Sequence, residues 1–408
     1  MIAVMFKRLG PYHHARLAAL SARTSVTAIE IVRQDDVYRW RIDAGQHPYE
    51  ITRVFEREGD MDGRSARTRV REILDRLKPE VVCIPGWASV VALWALDWCL
   101  ANDVPAVLLS DSTAADVPRS FARELPKSLI VRLFSAAVVA GSRHADYARA
   151  LGMPEALIFQ GYDVVDNRYF ADQTAAVRAN GVALRDQHGL PQRYFLASAR
   201  FVAKKNIPGL LKAYAAYLLA EPREPWSLVV LGDGEMAAVA REKMVEHGIG
   251  ERGFFPGFKQ YEELPVYYGL ASAFVHASTS EQWGLVVNEA MAAGLPVIVS
   301  DRCGCADDLV ENGVTGFVFD PEDTGSLAKL MLRMSEGAID LAAMGRAASE
   351  RIGRWSPELF ADSVIAASSA ARLRAASRRV PAKCRPLLRA AILFRGYEID
   401  ADAPQGSA

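Results

Sequence analysis

The feature that most constrains the fold of this chain is a regular alternation between short apolar runs and longer amphipathic stretches. In the first half, β-branched and other apolar residues form five short runs that we predict to be buried strands: 2–6, 26–31, 81–85, 104–109 and 136–140. Stretches with helical periodicity, such as 68–77 and 121–134, separate several of them. This order predicts βαβ units and a mostly parallel sheet.

The alternation lapses between Gly161 and Gly189, where polar residues prevail, and restarts at Tyr194. The second series of predicted strands comprises 194–198, 228–231, 254–258, 273–277, 296–300 and 316–319. We therefore predict an α/β protein with two doubly wound, Rossmann-like domains that face each other across a cleft. The first domain is expected at 1–175 and the second at 176–355.

Length, charge and cysteine content exclude several classes of protein. A chain of 408 residues fits two domains of about 150 residues each plus an appendage. Its 48 basic and 49 acidic residues leave a net charge of −1, which does not suggest a chain that coats nucleic acid. Five cysteines without the spacing of zinc ligands favour a reducing compartment.

No part of the sequence suggests a membrane span or a leader. No apolar stretch approaches the ~20 residues that cross a bilayer. The opening apolar run precedes Lys7 and Arg8, whereas a secretory leader places its charge first. We expect a cytoplasmic protein, either in solution or attached to the inner face of the membrane.

Two stretches combine basic with apolar residues. The one from Arg119 to Arg132 carries four basic residues beside apolar ones at 121, 125, 129 and 134. The one from Ala371 to Arg395 carries eight basic residues and no acidic one, and we expect 378–408 to be a flexible basic tail. Both could dock on anionic lipid, at about 1 kcal/mol per basic residue near the surface. The alternative is a solvated helix face and a tail without a partner.

The densest group of candidate functional residues lies in 278–298. A predicted strand ends there, Gly284 begins a helix, and Gly294 gives the C-terminal signal of that helix. The backbone N–H groups of Gly284, Leu285 and Val286 would lie at the helix N-terminus. Such a terminus attracts a diphosphate.

Two glutamates flank this predicted helix start. Glu281 lies in the loop before the helix, and Glu289 lies about one turn into it. A carboxylate accepts two hydrogen bonds from a vicinal diol, so the pair could hold a ribose and a sugar ring. The alternative is that both are ordinary acids at a helix start, where the dipole favours them.

The spacing of the two glutamates gives the pattern E-x7-E, through which the chain resembles the retaining family 4 glycosyltransferases of GT-B fold. Segment 199–206 is similar to a strand end of that family, with Arg200 and Lys205 as its pair of cations. Three further segments match in the same order, namely 230–234 with Gly232, 255–258 with Gly257 and Phe258, and 320–323.

The resemblance implies transfer of a sugar from a nucleoside diphosphate to an acceptor hydroxyl, with retention of configuration and without a metal ion or other cofactor. Arg200 and Lys205 would neutralise the leaving diphosphate, in agreement with the value of preorganised cations at developing negative charge. Glu281 would hold the transferred sugar and Glu289 the ribose. Gly232 and the segment 255–258 would line the donor site.

The resemblance also implies the placement of the substrates. The second domain would bind the donor and the first the acceptor, while a final helix at 356–377 would cross back to the first domain. The family mostly assembles polysaccharides, lipopolysaccharides and glycolipids. Two other functions remain open, namely epimerisation of a nucleotide sugar and non-catalytic nucleotide-sugar binding.

A second motif, from Gly232 to Ala237, satisfies the dinucleotide fingerprint G-x-G-x-x-A. That fingerprint also needs an acid about 20 residues further on, at the end of the next strand. Glu251 precedes the predicted strand 254–258 instead. We therefore expect no nicotinamide cofactor.

The candidates in the first domain follow its predicted strands. The resemblance implies a glycine-rich loop after the first strand, which assigns Gly10 to the donor, His13 to catalysis and His14 to the acceptor; alternatively, both histidines belong to the polar face of a helix start. Asp111 stands where many family members carry His, so it could act near the anomeric carbon or cap a helix. Trp87 could stack on an acceptor sugar or be buried.

Three residues near the E-x7-E pattern have weaker assignments. Trp283 occupies a position that is usually Phe in the family, and we expect it to pack under the donor. Cys303 and Cys305 have no further metal ligands nearby in the sequence. We expect them to be small residues that line the cleft.

Overall fold

The structure is a computed structural model that describes residues 1–34, 40–41, 45–220, 223–337, 339–377 and 386. The chain divides into two compact units. Unit 1 contains residues 1–164 and the last helix, Pro357–Ser377, and unit 2 contains residues 165–356. The predicted basic tail, 378–408, lies outside the described residues apart from Pro386.

Unit 1 is built on a parallel sheet of seven strands. These are β1 (Ile2–Phe6), β2 (Val26–Gln34), β3 (Glu50–Arg57), β4 (Val81–Pro85), β5 (Ala106–Ser110), β6 (Ala136–Val139) and β7 (Ile158–Gln160). Its sheet order is β3-β2-β1-β4-β5-β6-β7. Five helices alternate with the strands, namely α1 (Pro11–Ser21), α2 (Gly63–Leu77), α3 (Val90–Ala101), α4 (Phe121–Val131) and α5 (Ser142–Ala150). Helices on both faces bury the sheet, which explains its almost continuous apolar runs.

Unit 2 repeats this architecture with six parallel strands. These are β8 (Tyr194–Ser198), β9 (Ser227–Leu231), β10 (Gly253–Gly257), β11 (Ala273–His276), β12 (Val297–Ser300) and β13 (Gly316–Phe319). Its sheet order is β10-β9-β8-β11-β12-β13. The helices are α6 (Asn167–Ala179), α7 (Gly181–His188), α8 (Ile207–Leu219), α9 (Ala237–Glu246), α10 (Leu264–Leu270), α11 (Leu285–Ala292), α12 (Ala306–Leu309), α13 (Thr324–Ser335) and α14 (Leu341–Ile352). The prediction of two doubly wound α/β sheets is confirmed.

All eleven predicted strands are present, and their ends differ from the prediction by three residues at most. Two strands were not predicted. β3 is a sheet edge whose sequence, EITRVFER, mixes charged with apolar residues and leaves its first half largely accessible. β7, at the opposite edge, has only three residues. An apolar-run criterion detects strands that are buried on both faces and overlooks such edges.

The last helix, α15 (Pro357–Ser377), belongs to unit 1, as the family fold predicted for 356–377. The Ser363 hydroxyl donates a hydrogen bond to the carbonyl of Gln160 at 2.5 Å. Arg372 and Glu80 form an ion pair at 2.8 Å. The helix is therefore fixed both at the end of β7 and at the start of β4.

The expected domain boundary at 175 falls inside α6, a helix of unit 2, and the contact division lies between Val164 and Val165. The polar stretch between Gly161 and Gly189, where the alternation lapses, contains two helices, α6 and α7. Among the helices of the described residues, none has both the length and the apolar character that a bilayer span needs.

Candidate functional site

The candidate site of unit 2 lies where its strand order reverses. β8 and β11 are neighbours, yet the chain leaves them toward opposite edges of the sheet. Open α/β sheets bind ligands at the carboxyl ends of two such strands. Arg200 and Lys205 follow β8, and Glu281 follows β11, so the two predicted cations and one predicted carboxylate converge on this position.

Lys205 and Glu281 form an ion pair, and the Lys205 ammonium donates to Oε2 of the carboxylate. Both side chains are largely buried, with 13% and 10% of their surfaces exposed. Burial alone would raise the pKa of Glu281, but the charge of Lys205 and a hydrogen bond from His276 hold that pKa well below its usual value. Glu281 is therefore a carboxylate at neutral pH, with a cation already in place beside it.

His276 ends β11 and was not predicted as a site residue. Its Nε2 lies 3.4 Å from Glu281 Oε2 and 3.2 Å from the Ser278 hydroxyl. Burial, opposed by the hydrogen bond to Glu281, lowers the pKa of His276. The ring is thus neutral at neutral pH. A single histidine in an apolar strand is usually a core residue, so the sequence did not mark His276 as a candidate. The one indication of a functional position was that His276 ends its strand, two residues before Ser278.

Glu289 occupies a separate, more enclosed position on α11. It is 1% exposed, and the Tyr268 hydroxyl donates to its Oε2 at 2.5 Å. Burial first, and then the neighbouring Glu289 carboxylate, raise the pKa of Tyr268 well above its ordinary value, so this hydroxyl stays protonated as a donor. Tyr261, whose pKa is raised mainly by burial, also lies near Glu289. Neither tyrosine was singled out from the sequence.

The predicted helix start is confirmed at Gly284. This residue is the N-cap of α11 with φ +105, and Gly294 follows the helix with φ +76, so both adopt the left-handed conformation that glycine tolerates. Leu285 is buried and Val286 is half-buried at the first turn. Their backbone N–H groups are among those that a helix start leaves without intrahelical partners.

Gly232 brings two loops of unit 2 together. Its N–H donates to the Gly257 carbonyl at 3.0 Å, and a Cβ at position 232 would lie 1.8 Å from the carbonyl oxygen of Ala199. The residue therefore allows the backbone just before Arg200 to approach closely. Gly257, with φ +83, has open space where a Cβ would point, and Phe258 beside it is half-buried.

Trp283, Cys303 and Cys305 are core residues. Trp283 is 2% exposed, its Nε1 donates to Asn288 Oδ1 at 2.9 Å, and its ring stacks on Trp355. Both cysteines are fully buried, so the expectation that they line a cleft is wrong. Their small side chains fit the tight loop in which Gly304 donates to the Glu281 carbonyl.

In unit 1, Gly10 and His13 build the start of α1. Gly10 is the N-cap, and its N–H donates to His13 Nδ1 at 3.1 Å, as in one half of a capping box. The His13 ring lies edge-on to Phe6, with centroids 4.6 Å apart. Burial, and then the charge of Arg16, hold the pKa of His13 well below its ordinary value. The structure therefore gives His13 a helix-start role.

His14 belongs to an aromatic group at the same helix start. Its ring stacks on His47 with centroids 4.2 Å apart, and its Nδ1 lies 2.7 Å from the Tyr49 hydroxyl. This group joins α1 to the segment that leads into β3. The Tyr49 hydroxyl, a polar partner of His14, thus belongs to unit 1.

Asp111 and Trp87 follow β5 and β4. The chain continues without a helix from Asp111 to Ser120, which caps α4, so the helix-cap alternative for Asp111 is wrong. Asp111 lies close enough to Tyr162 to help raise the pKa of that tyrosine, of which burial is the main cause. Trp87 is 9% exposed and contacts Tyr147 edge-on in the core of unit 1. Trp87 is therefore a buried core residue, which was the second of the two roles predicted for it.

The basic amphipathic stretch differs from its prediction in two residues. Phe134 is 1% exposed and belongs to the core. Lys127 turns toward Glu124 and Tyr147, at 3.1 Å from an oxygen of each. Helix α4 nevertheless presents a stripe of exposed apolar side chains at i, i+4 and i+8, namely Phe121 at 79%, Leu125 at 44% and Leu129 at 59%.

Within the described residues, no group of three or more His, Cys, Asp or Glu side chains is arranged to hold a metal ion. The side chains near the carboxyl ends of β8 and β11 include a lysine, an arginine, a glutamate and a neutral histidine. Such a set suits an anionic group next to hydroxyls.

Comparison with known proteins agrees with this geometry. Residues 183–351 match the family model of glycosyl transferases group 1. An α-monoglucosyldiacylglycerol synthase of Acholeplasma laidlawii is 28% identical over 184 residues, 44% of this chain and 45% of the relative. The O-antigen chain mannosyltransferase B of Escherichia coli is 32% identical over 143 residues, 35% and 36% of the two chains. The chain therefore spans less than half the length of these curated relatives.

Solved structures match over nearly the whole chain. Anabaena HepE in complex with UDP superimposes with a TM-score of 0.70 at 15% identity, over 89% of this chain and 98% of that one. An α,α-trehalose-phosphate synthase (UDP-forming) from Burkholderia vietnamiensis gives 0.71 at 11% identity, over 90% and 99%. The chain thus has the GT-B fold, and its residues 183–351 match the family model of group 1 glycosyltransferases.

Proposed function

We propose that the protein transfers a sugar from a nucleoside diphosphate to an acceptor hydroxyl with retention of the anomeric configuration. The observation that carries this proposal is the Lys205–Glu281 ion pair at the reversal of strand order in unit 2. It joins a cation that suits a diphosphate to a carboxylate that suits sugar hydroxyls. Gly284, the N-cap of α11, lies three residues after Glu281.

The proposed reaction breaks the bond between the anomeric carbon and the β-phosphate oxygen. The bonding electrons leave with the nucleoside diphosphate, while the acceptor oxygen forms the new bond and its proton passes to the departing phosphate. Arg200, Lys205 and the N–H groups at 284–286 would stabilise the charge on the leaving group. Departure and attack on one face of the sugar would retain the configuration. On this account no metal ion takes part.

The two glutamates would hold the two sugar rings of the donor. Both contacts of the Glu281 carboxylate described here, with Lys205 and His276, are made by Oε2. Oε1 would accept from a hydroxyl of the transferred sugar. Glu289, held by Tyr268, would bind the ribose diol. Gly232, Gly257 and Phe258 would border the nucleotide.

The comparisons support the substrate classes. HepE was solved with UDP, and two sequence relatives are named as a glucosyldiacylglycerol synthase and an O-antigen mannosyltransferase. We infer a nucleotide-sugar donor in unit 2 and a glycan or lipid-linked acceptor in unit 1. Gly10, His13, His14 and Asp111 are the unit 1 candidates for substrate contacts. A role in polysaccharide, lipopolysaccharide or glycolipid synthesis follows.

Thermal unfolding in the presence of UDP, GDP, ADP or NAD tests the donor site. A ligand at a hundred times its Kd adds about 2.7 kcal/mol to the free energy of unfolding, or roughly 5–10 °C in Tm. We expect one nucleoside diphosphate to stabilise the native chain and to lose this effect in Glu289→Ala. Glu242→Ala, which changes an exposed residue of α9, is the matched control. Stabilisation by NAD alone would contradict the proposal.

Product analysis separates the proposal from its two alternatives. With the donor that binds and a matching acceptor, the anomeric coupling constant of the product should show the configuration of the donor. Epimerised donor that accumulates without an acceptor would instead indicate an epimerase. Tight nucleotide binding without turnover of any donor would indicate a binding protein.

We further propose that α4 docks on an anionic lipid surface. Its stripe of Phe121, Leu125 and Leu129 is exposed, and the neighbouring Arg119, Arg123 and Arg132 are exposed as well. Apolar side chains that enter the interface, flanked by arginines beside lipid phosphates, give complementary contacts to an anionic membrane. Such docking would suit a lipid-linked acceptor.

Sedimentation with vesicles at low salt tests this docking. We expect binding to vesicles with phosphatidylglycerol and much weaker binding to pure phosphatidylcholine. The double variant Phe121→Ser, Leu129→Ser should lose it, whereas Leu219→Ser, which removes an 83% exposed side chain from unit 2, should not. Equal sedimentation of all three chains would contradict docking through α4. Self-association that disappears only in the double variant would assign the stripe to a second copy.

A further inference from the structure

His276, at the end of β11, is buried beside the residues of the proposed reaction but is not one of those that contact the substrate. It is 3% exposed, and its ring stacks on that of Phe274 with centroids 6.3 Å apart and planes 15° apart. Its backbone is fixed in the sheet opposite Val299. Strand and neighbouring ring therefore restrict the position of the imidazole.

The contacts of the imidazole determine which nitrogen carries its proton. Nε2 lies 3.4 Å from Glu281 Oε2 and 3.2 Å from the Ser278 hydroxyl. An ionised carboxylate only accepts hydrogen bonds, so the neutral ring must carry its proton on Nε2 to bind Glu281. Ser278, which is fully buried, restricts Nε2 from a second side.

Glu281 shares its second partner, Lys205, with the proposed substrate. In the described structure Lys205 donates to the same Oε2 as His276. A bound diphosphate would carry more negative charge than one carboxylate and would draw the Lys205 ammonium toward itself. His276 cannot follow, because its strand and its ring contacts fix it. It is thus the partner that Glu281 keeps when a donor enters.

We propose that His276 is a positioning residue that fixes Glu281 through Oε2 and leaves Oε1 to the transferred sugar, while Lys205 serves the diphosphate. This inference rests on the proposed function, since it assigns Glu281 to the sugar. Positioning of this kind affects turnover more than nucleotide affinity, because the contacts of His276 are with Glu281, Ser278 and Phe274. Misplacement of a substrate-holding group by about 1 Å costs about a hundredfold in rate.

Two substitutions of His276 separate positioning from simple packing. The side-chain amide of His276→Gln has an N–H donor at the reach of Nε2, and His276→Leu fills similar space without a donor. We expect His276→Leu to lower kcat about 10- to 100-fold with little change in nucleoside diphosphate affinity. His276→Gln should restore kcat to within about threefold of the native value. His188→Leu, an exposed histidine of unit 2, is the control.

The two proposals fail in different ways. If the native protein binds no nucleoside diphosphate and turns over no donor, the proposed function is wrong and the role of His276 falls with it. If the native protein is active and His276→Leu keeps its kcat, or Gln and Leu lose it equally, His276 is a packing residue. Should His276→Leu fail to fold, nitrogen NMR of the native imidazole decides, because an unprotonated Nε2 overturns the inference.

Discussion

The candidate residues of the two units differ in how they are held. In unit 2, Lys205, Glu281 and His276 contact one another at the ends of two neighbouring strands. In unit 1, each candidate has its own local partners, such as the helix start for His13 and the sheet core for Trp87. Unit 2 thus presents a connected charged group, whereas His13 and Trp87 of unit 1 contact their own neighbours at a helix start and in the core.

The match to the family model follows the same division. It covers 183–351, which lies wholly inside unit 2. If unit 2 binds the nucleotide part of the donor, its chemistry is common to many relatives, and the pattern of cations and carboxylates can be read from the sequence. The residues of unit 1 lie outside the segment that matches the family model.

The largest effects should come from the buried ion pairs. Lys205→Met leaves the Glu281 carboxylate without its cation, and Arg16→Met removes the buried cation that lies 3.3 Å from Asp163. Removal of one partner of a buried pair costs about 3–5 kcal/mol of unfolding free energy. We expect both variants to show this loss in denaturant unfolding. Only Lys205→Met should also weaken nucleoside diphosphate binding, by at least tenfold.

The control for this prediction is the double variant Lys205→Met, Glu281→Gln. It removes the uncompensated charge and should recover most of the stability but not the nucleotide affinity. If Arg16→Met weakened nucleotide binding as much as Lys205→Met, the assignment of the diphosphate to unit 2 would be wrong.

The second largest effect concerns the two glycines beside the proposed donor. Gly232→Ala would place a Cβ against the Ala199 carbonyl at φ +126, and we expect a loss of about 2–4 kcal/mol. Gly257→Ala, at φ +83 in open space, should lose only about 1 kcal/mol. Denaturant unfolding measures both. Equal losses of unfolding free energy in the two variants would mean that the backbone at Ala199 can move away from residue 232.

Tyr268→Phe should have a smaller effect. It removes the hydroxyl that donates to Glu289 and leaves a buried carboxylate with one hydrogen bond fewer, which costs about 1–2 kcal/mol of stability. If Glu289 binds the ribose, nucleoside diphosphate affinity should fall as well. Tyr214→Phe, whose hydroxyl donates to the Trp226 carbonyl away from the site, is the control and should keep its affinity. If both variants bound the nucleoside diphosphate with equal affinity, Glu289 would not be a nucleotide-binding residue.

The smallest effect is a pH dependence that originates partly in unit 1. His13 has a lowered pKa in the folded chain, so the unfolded chain binds a proton more readily below about pH 6.5. The free energy of unfolding should therefore decrease as the pH falls below 6.5. His13→Gln keeps an acceptor for the Gly10 N–H but cannot titrate, and its stability should decrease less between pH 7.5 and 5.5. An unchanged slope would contradict the burial of a neutral His13.

The sequence predicted those parts of the fold in which a single physical cause, such as burial on both faces of a sheet, determines the residue pattern. Strands covered on both faces, such as β1 and β4, appear as apolar runs, whereas the partly exposed edge β3 does not. The glutamates and cations of unit 2 were recognised through their spacing. Apart from Pro386, the basic tail at 378–408 lies outside the described residues, so its role stays a prediction.

Partners of the recognised residues could not be predicted in the same way. His276 and Tyr268 come from an apolar strand and an apolar helix, where a single polar side chain is indistinguishable from a satisfied core residue. Their contacts with Glu281 and Glu289 arise only when distant segments pack together. In the stretch from Arg119 to Arg132, the sequence likewise did not reveal that Lys127 turns toward Glu124.

The most direct test of the central claim is calorimetric titration with the nucleoside diphosphate that stabilises the chain best and with its monophosphate. If the cations after β8 bind the diphosphate, the native protein should prefer the diphosphate by at least about tenfold, because charge-assisted bonds to the second phosphate are lost in the monophosphate. Arg200→Ala should abolish most of this preference. An undiminished preference in Arg200→Ala, or no binding to the native chain, would contradict a donor site in unit 2.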